Sequence, residues 1–177
     1  MVKRLIALML VILLLTGCAF SGNKMKDPVT YYYLRSTIDS NDYDDFYAEG
    51  IINSEKREAS GRSNDLEHML TVYFRGPLDQ QLVSPFPPGS RIWEMQQNED
   101  ELTLLLNTML AEKSDLQITI ACACLAKTCL DLTDVNSVRI EARNLEDKLL
   151  FTRTFTRDNL FLYDDYNQSA TDAENTQ

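Results

Sequence analysis

The segment from Asp115 to Leu130, DLQITIACACLAKTCL, is apolar nearly all round. A helix of that kind cannot lie on a surface, so the rest of the chain has to cover it on most sides. Ser114 and Gln117, three residues apart, have the spacing of a capping box and mark its start. With 177 residues the chain is long enough for one domain with a sizeable core.

The flanking segments supply the cover. Pro28 to Arg35 (PVTYYYLR) is aromatic and β-branched and reads as a strand. Ser36 to Asp45 is an acidic turn, and Phe46 to Ala59 reads as a second strand in which Gly50 can seat a bulge. Asn64 and Glu67 again have capping-box spacing and open a helix over Asp65 to Phe74, with Leu66, Met69, Leu70 and Tyr73 inward. Gly76-Pro77 stops that helix, since proline cannot continue it. After the rigid loop Ser84 to Ser90 (SPFPPGS), Arg91 to Gln97 and Glu101 to Asn107 form a hairpin around Asn98 to Asp100, with Ile92, Leu102, Leu104 and Leu106 as its core positions. Asn136 to Arg143 and Lys148 to Phe155 make a last hairpin. The order β-β-α-β-β-α-β-β predicts an α+β two-layer sandwich: a mixed, mostly antiparallel sheet with two helices packed on one face. The domain spans 28–157, and the acidic stretch 158–177 lacks an apolar face and reads as a disordered tail.

The N-terminus carries an address. Lys3 and Arg4 precede an unbroken apolar run, Leu5 to Leu15, that ends in Leu15-Thr16-Gly17-Cys18. This is the layout of a bacterial lipoprotein signal peptide, residues 1–17, in which Cys18 is acylated (palmitate is a typical chain) and becomes the mature N-terminus. The run is about half of the ~20 apolar residues that cross a bilayer, which argues for a processed signal over a permanent span. Residues 18–27 are then a tether, and the protein is expected on the outer face of the cytoplasmic membrane, held there by lipid. The formal net charge of −10 sets the chain against nucleic acid and anionic headgroups, so envelope proteins, cell-wall material or cations are the expected partners.

Chemistry-bearing residues are sparse. Cys122, Cys124 and Cys129 fall within the long helix, which cannot bring all three sulfurs onto one metal; they read as free core thiols. The single histidine, His68, sits beside the apolar face of the first helix and reads as a boundary residue. The sequence holds no nucleophile elbow, zinc-protease motif or phosphate loop. Asp42, Asp44 and Asp45, with Asp39 and Glu49 nearby, are weak calcium candidates, because the spacing lacks the glycine and distal glutamate of an EF-hand loop. Trp93 and Phe86, at the proline-rich loop, and Tyr43 and Tyr47, at the acidic turn, are candidate partner contacts. Tyr31 and Tyr33 share one face of the first strand and Tyr32 takes the other, so at least one of these faces belongs to the core. No metal or cofactor is implied.

Several of these features recur together. A helix ends in Gly76-Pro77; Leu82 and Pro87-Pro88-Gly89 lead into the strand from Arg91; a second strand and a long helix follow. That helix runs through Lys127-Thr128-Cys129-Leu130 into Val135, Val138 and Ile140. In this succession the chain resembles the GerMN domain of sporulation and spore-germination lipoproteins, over about residues 28 to 145. The strand pair before the first helix is longer than the family core, and the acidic turn has no counterpart in it. The resemblance implies a non-catalytic module that binds ligands or proteins at the cell envelope, and it brings no catalytic residues. A cell-wall remodelling enzyme and an extracellular calcium-binding protein are the alternative readings.

Overall fold

The computed structural model describes residues 25–36 and 51–160. The expected order of elements is present, with two short additions. These are β1 (Pro28–Arg35), β2 (Ile52–Glu58), α1 (Leu66–Phe74), β3 (Leu82–Val83), β4 (Ile92–Gln97), β5 (Glu101–Leu106), a 3-10 turn (Thr108–Leu110), α2 (Asp115–Leu132), β6 (Ser137–Arg143) and β7 (Leu149–Thr156). The class is α+β with mixed, mostly antiparallel strand pairing, as the sequence predicts. The strands divide between two sheets, ordered β2-β1-β3 and β4-β5-β6-β7. Both sheets contribute to a single buried core.

The one parallel pair among the described residues, β5 with β6, dictates the middle of the fold. Parallel neighbours need a crossover, and α2 supplies it. The helix packs against β1 of one sheet and against β6 and β7 of the other. That explains its composition: from Ile118 to Leu130 no residue is exposed. The predicted box opens it, with Gln117 N–H donating to Ser114 Oγ at 3.3 Å and Ser114 N–H donating to Gln117 Oε1 at 3.2 Å. At its other end the Arg157 guanidinium donates to the carbonyls of Leu130, Thr133 and Val135, satisfying acceptors that a helix terminus leaves free.

The first helix starts differently from the sequence expectation. Its cap is Asp65, not Asn64: Asp65 Oδ1 accepts from His68 N–H at 3.0 Å and the helix begins at Leu66. A carboxylate there also meets the positive end of the helix dipole, which an amide does not. The helix ends as predicted, with Gly76 at φ +90°. Arg57 holds that exit: it donates to Gly76 O at 2.7 Å, pairs with Glu55, and lies 5.1 Å from the Tyr31 ring centroid. Glu55 in turn accepts from the Leu78 and Asp79 amides.

Tyr31, Tyr33 and Tyr73 form the aromatic centre of the three-stranded half, all fully buried, with Tyr33 and Tyr73 stacked at 4.9 Å. Packing continues through Leu160, which is 9% exposed and joins the core, so ordered contacts run beyond residue 157.

Candidate functional site

Two sheet edges explain how the surface is divided. Tyr32 of β1 turns its N–H and C=O away from β2, and β3 pairs only with Leu34 and Arg35. The gap is closed by side chains from both helices. Thr128 Oγ1 accepts from Tyr32 N–H at 3.1 Å and donates to Cys124 O at 2.9 Å, while the Tyr73 hydroxyl donates to Tyr32 O at 3.1 Å. A buried backbone that lacks a strand neighbour is thereby satisfied.

Strand β4 is treated otherwise. It ends the four-stranded sheet, and from Trp93 to Gln97 every residue is exposed. Its register with β5 slips between Ile92, opposite Leu106, and Glu94, opposite Leu105. Trp93 is the extra residue of a β-bulge, and such an insertion re-aims the side chains that follow. Strict alternation would send Glu94 to the buried face and Met95 to the solvent. The bulge reverses this, so Met95 lies opposite the buried Leu104 and Glu94 opposite Leu105.

Between β4 and α1 runs an open groove of about 460 Å³, lined by Glu67, Leu70, Thr71 and Phe74 of the helix and by residues 91–95 of the strand. Its floor is apolar. Phe74 meets Phe86 edge-on at 5.0 Å, Leu70 is buried, and Trp93 and Met95 stand 43% and 36% exposed in its wall. At its rim the Glu67 and Glu94 carboxylates and the Arg91 guanidinium have no ion-pair partner among the described residues. The outer face of the same sheet is polar by contrast, with Arg139 paired to Glu101 and Arg143 to Glu141 and Asp147.

The sequence-derived candidates separate accordingly. Trp93 lines the groove; Phe86, at 7% exposure, lies behind Phe74 in the core and offers little surface to a partner. Cys18, Tyr43, Tyr47, Asp42, Asp44 and Asp45 lie outside the described residues. His68 is half-buried with Nδ1 3.1 Å from Arg62, away from the groove lining. The three thiols are free and buried. Burial pushes Cys122 up to about 12, against the opposing pull of Arg153, and raises Cys124 and Cys129 further. Thiols held protonated in this way are packing groups, not nucleophiles. Sequence reasoning passed over Met95 and Glu67. Met95 had a signal, since Ile92 and Met95 are three apart in a strand and cannot share a face without a bulge.

No family model matches the chain, and no curated protein matches it. Among solved structures it is similar to the tandem GerMN domains of the sporulation protein GerM from Bacillus subtilis, at 15% identity and a TM-score of 0.49, over 79% of this chain and 49% of that one. The chain thus spans about half the length of the tandem protein. It is also similar to a Clostridium perfringens protein classed as a lipoprotein, at 13% identity and a TM-score of 0.44, over 79% of this chain and 94% of that one. These likenesses concern the course of the chain and nothing of its chemistry. The family that the sequence resembles and the family named in the first of them are the same, GerMN.

Proposed function

We propose that this protein is a lipid-anchored, non-catalytic docking module on the outer face of the cytoplasmic membrane, where it holds an envelope protein through the groove between α1 and β4. The observation that carries the reading is the groove itself: an apolar floor and two exposed large side chains, Trp93 and Met95, on a strand whose outer flank has no strand partner among the described residues. The Leu15-Thr16-Gly17-Cys18 sequence supports the anchor. A tether of that kind keeps the domain near membrane partners and raises its effective concentration for them. The resemblance to GerMN domains points to the machinery of sporulation or germination as the setting.

Photo-crosslinking in intact cells tests the reading. A benzophenone side chain placed at position 93 is expected to capture exported proteins. The same group at position 152, on the outer face of the sheet, is expected not to, and Cys18→Ser is expected to release the protein from the membrane fraction and to abolish palmitate labelling. Equal capture from both positions, or none together with wall-hydrolysing activity of the purified protein, would overturn it.

A further inference from the structure

Resting on the docking reading above, we propose that β4 receives its partner as an added strand: an extended peptide segment, alternately apolar and basic, hydrogen-bonded to the outer edge of β4, which has no strand partner among the described residues, with its apolar side chains in the groove. Three observations converge on that occupant.

The first is the backbone. An edge strand presents a row of N–H and C=O groups that only another extended chain can pair in series. Among the described residues, several other flanks are closed, charged or short. Thr128 and Tyr73 close the β1 edge. Strand β2 carries the charged run Glu55-Lys56-Arg57-Glu58 and β3 is only two residues long, while β7, like β4, has a single charge, Arg153, which is drawn to Asp115 and Thr119 of α2. Strand β4, IWEMQQ, has neither lysine nor proline, and Glu94 is its one charge. The bulge at Trp93 leaves Glu94 to Gln97 as the regular stretch. The added strand is therefore short, about 13 Å at ~3.3 Å per residue.

The second is the groove. Side chains of an added strand alternate between the two faces of the sheet. Those on the inner face would meet Met95, Ile92, Leu70 and Phe74, and Trp93 would flank them. Apolar residues at every second position fit that floor.

The third is charge. Glu94 stands on the outer face and Glu67 on the helix rim, both without an ion-pair partner among the described residues, and the two outnumber the single guanidinium of the groove, Arg91. The chain as a whole carries a net charge of −10. Lysine or arginine at the intervening positions of the segment complements Glu94, and one at its end complements Glu67. A second copy of so acidic a chain complements neither.

The probe is a displayed library of random heptapeptides, panned against the mature lipidated protein in detergent. The expected result is enrichment of alternating apolar and basic residues. A peptide made from the enriched pattern should slow amide exchange at least tenfold at those amides of Glu94 to Gln97 that do not face β5. N-methylation at every second peptide amide should abolish binding, and the same modification moved by one residue should be tolerated. Trp93→Ala and Met95→Ala should each weaken binding about tenfold, and Glu67→Gln with Glu94→Gln should flatten its salt dependence. If the enriched peptide crosslinks to position 93 while β4 exchange is unchanged and N-methylation is tolerated everywhere, strand addition is overturned and groove docking survives. If no peptide is enriched and position 93 captures nothing in cells, both fall. Self-association through β4 without peptide capture also overturns the proposal.

Discussion

The edges of β1 and β4 are two answers to one problem, an unpaired strand flank beside an apolar core. At β1 the flank is sealed by hydrogen bonds from residues far away in the chain: Thr128 lies 96 positions from Tyr32, and Tyr73 lies 41. At β4 the neighbouring helix stops short of covering the strand, and the core surface continues outward as a groove. On the docking proposal, the sealed edge belongs to folding and the open edge to recognition. Changes at the first should therefore appear in stability, and changes at the second in binding.

Alkali is the broadest way to break the sealed side. Tyr73 and Tyr33 are raised above their ordinary value of 10.0 and the three thiols above 9.0, all chiefly by burial. Between the unfolded values and the higher folded ones, the unfolded chain has lost protons that the folded chain still binds. Stability is therefore unaffected by these groups below about pH 9 and falls as pH rises through the window. All five groups act in the same direction, so their losses add as pH rises. Urea midpoints should be level up to pH 8.5 and drop steeply above pH 9.5. Ionisation of all eight tyrosines near pH 10 with unchanged far-UV dichroism would contradict the burial of Tyr33 and Tyr73.

Narrower cuts at the same edge follow. Thr128→Val keeps the shape and removes the acceptor that Thr128 Oγ1 offers to the part-buried Tyr32 N–H. That costs about 1–3 kcal/mol, measurable by urea unfolding; a value near zero would mean that β1 does not depend on α2 for closure. Tyr73→Phe removes one donor to Tyr32 O and retains the ring stacked on Tyr33. Its expected cost is smaller, about 1 kcal/mol.

How far the sequence reveals this arrangement depends on the range of the interaction. Local signals are legible: the Ser114–Gln117 box, the Gly76-Pro77 stop, the alternation Leu102, Leu104, Leu106, and the all-round apolar α2. Asn64 and Asp65 are both capping types, and only the position of the His68 amide decides between them. The division into two sheets was not legible. It arises because β5 takes β6 as a parallel partner across α2, while a threonine on that helix takes the place of a strand beside β1. Neither contact has a periodic signature. The groove was half legible: Trp93 stood out by type, but Met95 enters it only through the bulge, and Phe86 leaves the surface because Phe74 and Tyr73 cover it.

The smallest expected change in stability is also the sharpest test of the contrast. Trp93 and Met95 are large, apolar and partly exposed, so truncating either removes surface that water already reaches. Substitutions of this kind usually shift stability by no more than about 0.5 kcal/mol. A tryptophan wedged into a core would instead cost about 3–5 kcal/mol on truncation to alanine. Trp93→Ala should therefore leave the urea midpoint close to that of the unaltered protein while weakening binding of the enriched peptide about tenfold. A loss of several kcal/mol would show that Trp93 closes the β4 side of the core much as Tyr73 and Thr128 close the β1 side. The two edges would then be alike, and the case for β4 as a recognition surface would lose its footing.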